Sequence, residues 1–396
     1  MRAVVIHHNL NIPGGEATVA IETIQALYEL GYDIELVTVQ KPDLESIAKA
    51  YGKRLVIRKA KYLFPLKIKY FGIYQRLLTI IPSLSLSDSD IVINTNGNIL
   101  PYRIPNNIPY ILYFHFPILR IASADYYNNN KYQKSLFWKT YFRPYQIMAN
   151  ALTKSALARS TIILTNSGFS RDAIREAYPT VDPFILYPPV DIERFSSAYR
   201  SNSRRNKVLV ISRFSPEKQI ERSIKIAKLV DKIEFEIVGS VVPANRPYFN
   251  FLQKMIQGYA LEDKIRLSPN ATNEELINAM STSTIYLHTM QGEHFGVSIV
   301  EAMAAGLVPI VPSYGGCSEI VPPEYLYSTL EEAAKCICKN IYGYDKEKKE
   351  HVYDIAKQFS SLKFRERMQH YIEQTCNNSN GDNDSTNTTK RPSTHD

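Results

Sequence analysis

The amino-acid sequence predicts an α/β protein built from two doubly wound, Rossmann-like domains. Three observations carry that expectation. The chain has 396 residues, 44% of them hydrophobic, which is more than one hydrophobic core ordinarily organises. Apolar, β-branched runs alternate with segments of helical spacing in two separate series, the pattern of parallel sheets covered on both faces. Between the series lies YPPVDIERFSSAYRSNSRRN, whose Pro, Ser and Arg suit an interdomain connection.

In the first series, Ala3 to His8 reads as a strand, Asn9 to Gly15 as a turn-rich loop, Ala17 to Leu30 as a helix ended by Gly31, and Ile34 to Val39 as the second strand. Further strands are expected at Ile91 to Asn94, Tyr110 to Phe114 and Thr161 to Thr165, with helical segments between several of them. The second series runs strand Val208 to Ile211, helix Ile220 to Leu229, strand Glu234 to Val238, helix Tyr248 to Tyr259 and strand Ile265 to Leu267. It continues with helix Asn273 to Met280, strand Thr284 to His288, helix Phe295 to Ala305 and strand Val308 to Val311. The expected layout is a first domain over 1–187, a connection over 188–206, a second domain over 207–345 and a charged helical segment over 346–376. The tail, 377–396, is rich in Asn, Ser, Thr and Asp and is expected to be disordered, since it cannot bury a core.

Four cysteines, at 317, 336, 338 and 376, are too few for a disulfide framework in a chain this long and fit a reducing compartment. Cys336 and Cys338 stand two apart on an expected helix, where side chains diverge, which argues against a metal site. The opening MRAVVIHHNLN turns polar too soon for a signal peptide, and no apolar run is long enough to span a bilayer.

The net charge of +8 is unevenly placed: residues 46–87 carry nine Lys or Arg and no Asp or Glu, interleaved with aromatics. Such a segment suits an anionic membrane surface. It equally suits a solvated basic face over a packed strand and helix. Nucleic acid would use the same charges, but no nucleic-acid-binding motif accompanies them.

In open parallel sheets, ligands lie beyond the carboxyl ends of the strands, beside helix N-termini that favour anions. Three loops have that placement. IHHNLNIPGGEA follows the first strand, and Gly14 and Gly15 would admit a ligand close to the backbone, although a tight turn also explains two glycines. VLVISRFSPEKQIERS places Arg213 and Lys218 after a buried strand, where a guanidinium and an ammonium can neutralise a departing diphosphate without a metal; two solvated loop cations are the plain alternative. YLHTMQGEHFGVSIVEAMAAGLVPIVPSYGG sets Glu293 before a helix and Glu301 eight residues on, a little over two turns, so the two share roughly one side. A helix N-terminus favours Glu293 electrostatically in any case. Glu301, among small apolar residues, needs hydrogen-bond donors, and a nucleotide ribose has two hydroxyls.

Glu293-x7-Glu301 with HFG after the first Glu, Arg213-x4-Lys218 and the glycine pair together resemble glycosyltransferase family 4, over nearly the whole chain to about residue 375. The resemblance implies a GT-B fold, two Rossmann-like domains facing a central cleft, and transfer of a hexose from a nucleotide sugar with retention. It implies Arg213 and Lys218 on the donor diphosphate, Glu301 on the ribose and Glu293 on the hexose. Backbone groups of His294, Phe295 and Gly296 would lie near sugar and phosphate, Gly14 and Gly15 would approach from the other domain, and His115 would stand near the reacting centre. No metal or other cofactor is implied. Within the family, LHTM, GEHFG, YFHFP (113–117) and RFSPEK resemble the branch that adds mannose from GDP-mannose to a lipid-linked oligosaccharide, which would put the chain peripherally on the cytoplasmic face of a membrane. A Gly rather than Asn before Glu293, and Gly14-Gly15-Glu16-Ala17 in place of a longer glycine run, depart from that branch and leave a UDP-sugar donor and another acceptor open.

Rival readings fare less well. Epimerases and phosphorylases share the architecture but explain the two-glutamate segment poorly, and a dehydrogenase lacks its G-x-G-x-x-G here. A non-catalytic membrane or nucleic-acid binder would need the basic segment but not Glu293, Glu301, Arg213 and Lys218. Asp88-Ser89-Asp90 spells a metal-binding D-x-D, but it precedes a strand and so belongs at the amino edge, away from the crevice. His7 and His8 are adjacent and leave the strand on opposite faces, which disfavours a shared metal.

Overall fold

The computed structural model describes residues 1–12, 14–65, 74, 81, 89–96, 108–117 and 136–384, with side chains to residue 377 of the final helix. The first sheet is wholly parallel and comprises β1 (Arg2–Ile6), β2 (Asp33–Gln40), β3 (Lys59–Phe64), β4 (Ile91–Asn94), β5 (Tyr110–Tyr113), β6 (Ile162–Thr165) and β7 (Phe184–Ile185), in the order β3-β2-β1-β4-β5-β6-β7. The central strands β1, β4 and β5 are near-continuous apolar runs because helices cover both of their faces. One cover is α1 (Gly15–Glu29), whose buried side includes Ala17, Ala20, Ile21, Ile24 and Leu27.

The second sheet is also parallel: β8 (Lys207–Ile211), β9 (Glu234–Gly239), β10 (Ile265–Pro269), β11 (Ile285–Leu287), β12 (Val308–Pro312) and β13 (Leu326–Tyr327), in the order β10-β9-β8-β11-β12-β13. Each sheet reverses direction once, between β1 and β4 in the first and between β8 and β11 in the second. A crevice opens at each reversal, beyond the carboxyl ends of those strands. The expected two-domain α/β architecture is the one observed.

Three features differ from the sequence expectation. Residues 188–206 are not a bare connection: a short helix, Ser196–Arg200, follows a 3-10 turn, and Val190, Ile192, Phe195 and Ala198 join the core of the second domain. Their spacing was hidden by the surrounding Ser, Arg and Pro. The charged segment expected over 346–376 is two helices, Lys346–Lys357 and Ser361–Asp384; the second crosses to the first domain, where Phe364, Met368 and Ile372 enter its core, and it continues through the first residues of the expected disordered tail. Arg365 fastens that helix to α1 through Glu22 and Glu29, each at 2.8 Å. Residues 385–396 lie outside the described residues. The chain passes twice between domains, and the passes are bonded side by side: Val190 N donates to Phe359 O, and Ser361 N to Val190 O, both at 2.9 Å.

Part of the basic segment is edge strand β3, paired with β2. There Lys61 meets Glu35, and Lys53 meets Glu22, so some of its charge is spent inside the fold. Most of residues 66–87 lies outside the described residues.

Candidate active site

The loops after β8 and β11 meet at the second crevice. β11 ends at Leu287, and beyond His288 the chain turns through Gly292 (φ +72°) to present Glu293 before Gly296 (φ +104°) opens the helix α2 (Val297–Ala304). The left-handed Gly296 is why the helix starts two residues later than its apolar pattern predicts. A second strand-like contact clamps the turn: Gly316 N donates to Glu293 O at 2.7 Å. A Cβ on Gly315 (φ +130°) would lie 2.9 Å from the Glu293 backbone, and one on Gly316 would lie 2.0 Å from His294 O. Only glycine fits at either place.

Lys218, from the loop after β8, reaches this turn. Its Nζ lies 2.6 Å from Glu293 Oε2 and 3.4 Å from Met290 Sδ, and Thr289 Oγ1 donates to the Lys218 carbonyl at 2.9 Å. Both charged side chains are more than four-fifths buried. Burial pushes the Glu293 carboxyl up, but the Lys218 ammonium, together with His288 and His294, holds it well below the usual carboxylate range. A pair this enclosed costs desolvation, which structure alone has no reason to retain.

Glu301, on α2, is in the opposite electrostatic state. It is half-buried, burial pushes it up to about 7, Arg194 alone pulls it down, and no side-chain hydrogen bond to its carboxyl is seen among the described residues. Their surroundings thus push the two glutamates in opposite directions, Glu293 down beside Lys218 and Glu301 up by burial.

The first domain closes over this region. His294 is stacked on Phe116 with ring centroids 4.0 Å apart and an interplanar angle of 9°. Burial drives the His294 imidazole down to about 4, with Glu293 opposing and Lys218 and His115 adding to the fall. Gly15 comes so near α2 that a Cβ there would lie 3.3 Å from Val297, and Gly14 N donates to Tyr51 Oη at 3.1 Å. At a further contact, Glu319 of the second domain accepts from Gly168 N (2.8 Å) and Phe169 N (2.6 Å), the free amides that open the first-domain helix Gly168–Ala177.

The structure therefore brings Lys218, Glu293 and His294 together, with Gly15 facing Val297 from the first domain; Glu301 follows on the helix, and Gly14 is bonded to Tyr51. Phe295 turns its ring into the core between Tyr187 and Phe359, leaving only its backbone for a ligand. Arg213 is not drawn in: it is 67% exposed, and its guanidinium lies 3.8 Å from Glu217. His115 Nε2 donates to Thr95 O (3.0 Å), and its ring packs on Tyr113. His7 and His8 bond Thr95 and Asn96 through Nδ1. Asp90 accepts from Arg2 N at 2.7 Å, which sets it at the amino edge as expected; Asp88 lies outside the described residues. Sequence reasoning missed His288, Arg194, Phe116 and Glu319. LHTMQGEHFG had drawn attention to Glu293; Arg194 and Phe116 come from segments distant in sequence, and Glu319 lies just beyond the segment that was read.

Comparison with known proteins now bears on this geometry. Residues 13–194 match the model for Glycosyltransferase Family 4, and residues 191–331 match that for Glycosyl transferases group 1. The chain thus carries, one after the other, the two glycosyltransferase domains that these models describe. The two matches meet where the first sheet gives way to the second domain. Among the relatives of this chain is the GDP-Man:Man(3)GlcNAc(2)-PP-Dol alpha-1,2-mannosyltransferase of Dictyostelium discoideum, 27% identical over 69% of this chain and 60% of that protein. The Xenopus laevis protein of the same name is 32% identical over 40% and 35%. The chain thus spans less than two thirds of the length of these relatives. Anabaena HepE in complex with UDP shares the fold at TM-score 0.68 and 16% identity, covering 94% of this chain and 100% of that one. The lipopolysaccharide-biosynthesis glycosyltransferase WaaG does so at 0.64 and 13%, covering 94% and 99%.

Proposed function

We propose that the chain transfers mannose from GDP-mannose to a hydroxyl of a lipid-linked oligosaccharide, with retention at the anomeric carbon. The observation that carries the reading is the buried Lys218–Glu293 pair at the second crevice, followed on the next helix by Glu301, whose carboxyl has no donor among the described residues. In this reading Glu293 holds hexose hydroxyls, Glu301 accepts from the ribose, and backbone groups from His294 to Gly296 line the sugar and phosphate. Lys218 and Arg213 neutralise the departing diphosphate, with Arg213 folding in from solvent, so no metal or other cofactor is called for. Gly14 and Gly15 approach from the first domain. The acceptor oxygen attacks on the leaving-group face near His115, the bond from the anomeric carbon to phosphate oxygen breaks, and the acceptor proton passes to the departing phosphate. Charge stabilisation and placement supply the rate. The names of the Dictyostelium and Xenopus relatives support the donor and acceptor.

An anionic membrane at its cytoplasmic face is the proposed location of the acceptor. No helix among the described residues is long and apolar enough to cross a membrane. The helix Leu136–Arg159 has four cations and no carboxylate. It exposes Leu136 (81%), Phe137 (71%), Ile147 (63%) and Met148 on one stripe, a composition that suits lipid head groups and acyl chains together.

A transfer assay with a panel of nucleotide sugars and polyprenyl-linked oligosaccharides tests the reading. GDP-mannose should give product. A UDP-sugar giving product while GDP-mannose gives none would overturn the mannosyl assignment and leave the family intact.

A further inference from the structure

Glu293 Oε2 has two neighbours, and only one of them is free to stay. The other oxygen, Oε1, accepts from the adjacent His294 N at 3.2 Å. Oε2 faces Lys218 Nζ at 2.6 Å and His288 Nε2 at 3.5 Å. If Lys218 serves the donor diphosphate, it must turn toward the phosphates when the donor enters, and a buried carboxylate oxygen then loses its charge-assisted partner.

His288 is placed to take it over. It is 95% buried, and Nε2 has no hydrogen-bond partner. Its main chain is fixed on both sides: N donates to Ile310 O at 2.9 Å, and O accepts from Tyr327 Oη at 2.7 Å. On the far side of the ring, Nδ1 lies 3.3 Å from Tyr286 Oη, which is itself 2.8 Å from Ser298 Oγ. With the Tyr286 hydroxyl donating to Nδ1, the ring proton sits on Nε2, facing Glu293. An approach of about half an ångström would complete an ordinary N–H···O bond.

Resting on the functional reading above, we propose that His288 is a positioning residue: it holds Glu293 Oε2 in place once Lys218 is drawn to the diphosphate, so that Glu293 meets the hexose in one geometry. His288 touches no substrate. Its effect is on the sugar end of the donor and not on the nucleotide.

Two substitutions separate this role from a merely structural one. Gln places its amide nitrogen near the position of Nε2, whereas Asn places it near Nδ1 and cannot reach Glu293. His288→Gln should keep kcat/KM for the nucleotide sugar within about threefold of the unaltered chain, and His288→Asn should lose tenfold to a hundredfold, the scale of a small misplacement of a reacting group. Both should bind GDP alone as the unaltered chain does, because GDP has no hexose. Calorimetry with GDP and GDP-mannose, and a thermal melt of each variant, complete the set. Equal transfer by the Asn variant overturns the inference. So does loss of GDP binding in step with transfer, which would make His288 structural. An unaltered chain that binds no nucleotide sugar overturns the functional reading itself, and the inference with it.

Discussion

Replacing Glu301 with Gln should abolish a proton that the chain releases when it binds its donor. In the free chain, burial holds Glu301 up to about 7, against the pull of Arg194. Ribose hydroxyls donating to this carboxylate favour its charged form and return it toward the ordinary value, about 4.3. At pH 6.5 the free side chain is then about three-quarters protonated and the bound one almost wholly ionised, so binding releases about 0.75 proton. Raising the pH favours the complex, because the free chain alone holds the proton. The gain ends once the pH passes about 7. Donor affinity should therefore be about tenfold weaker at pH 6 than at pH 8. His294, held near 4, stays neutral across that window and adds nothing. The assay is titration calorimetry in two buffers of different ionisation enthalpy, without acceptor. GDP-mannose is the proper ligand, since its phosphate diesters do not titrate in this range. Glu301→Gln removes whatever other groups do not account for. An unchanged proton count in that variant, or equal affinity at pH 6 and pH 8, would refute the ribose assignment.

Further outcomes follow from the same geometry. Lys218→Ala should cut transfer by about a hundredfold or more, and, because it strands the buried Glu293 charge, should also destabilise the fold by about 3 kcal/mol; adding Glu293→Gln should restore the melting temperature but not transfer. Glu293 is held below its ordinary value, so it contributes stability above the unfolded carboxylate range that is lost as the pH falls through its folded value. Acid unfolding of the Glu293→Gln variant should accordingly show a shallower pH dependence than that of the unaltered chain. Gly316→Ala, whose Cβ would meet His294 O at 2.0 Å, should abolish donor binding, while Gly258→Ala, with open space around it, should leave binding unchanged. Glu319→Ala removes the interdomain bonds to Gly168 and Phe169, and a larger radius of gyration by small-angle scattering is expected; an identical profile would show that the clasp does not hold the closed form.

Much of this protein was legible before any coordinates. Two periods, one of strands and one of helices, are local properties of the chain, and so the β8–β12 series and the loops at their carboxyl ends could be read residue by residue. Glu293 and Glu301 stood out for the same reason: their separation is a helical distance, and a carboxylate among Val300 and Ala302 is locally anomalous. What the sequence could not supply were contacts that depend on register, twist and closure. Lys218 meets Glu293 across 75 residues, His294 meets Phe116 across a domain boundary, and Glu319 caps a helix 151 residues away. The C-terminal helix returns to the first domain because Phe364, Met368 and Ile372 fit the groove beside α1, a fit that the tail's polar composition conceals. Local physics set the elements and marked the chemistry; only packing of the two domains decided which of the marked groups touch, and in which protonation state.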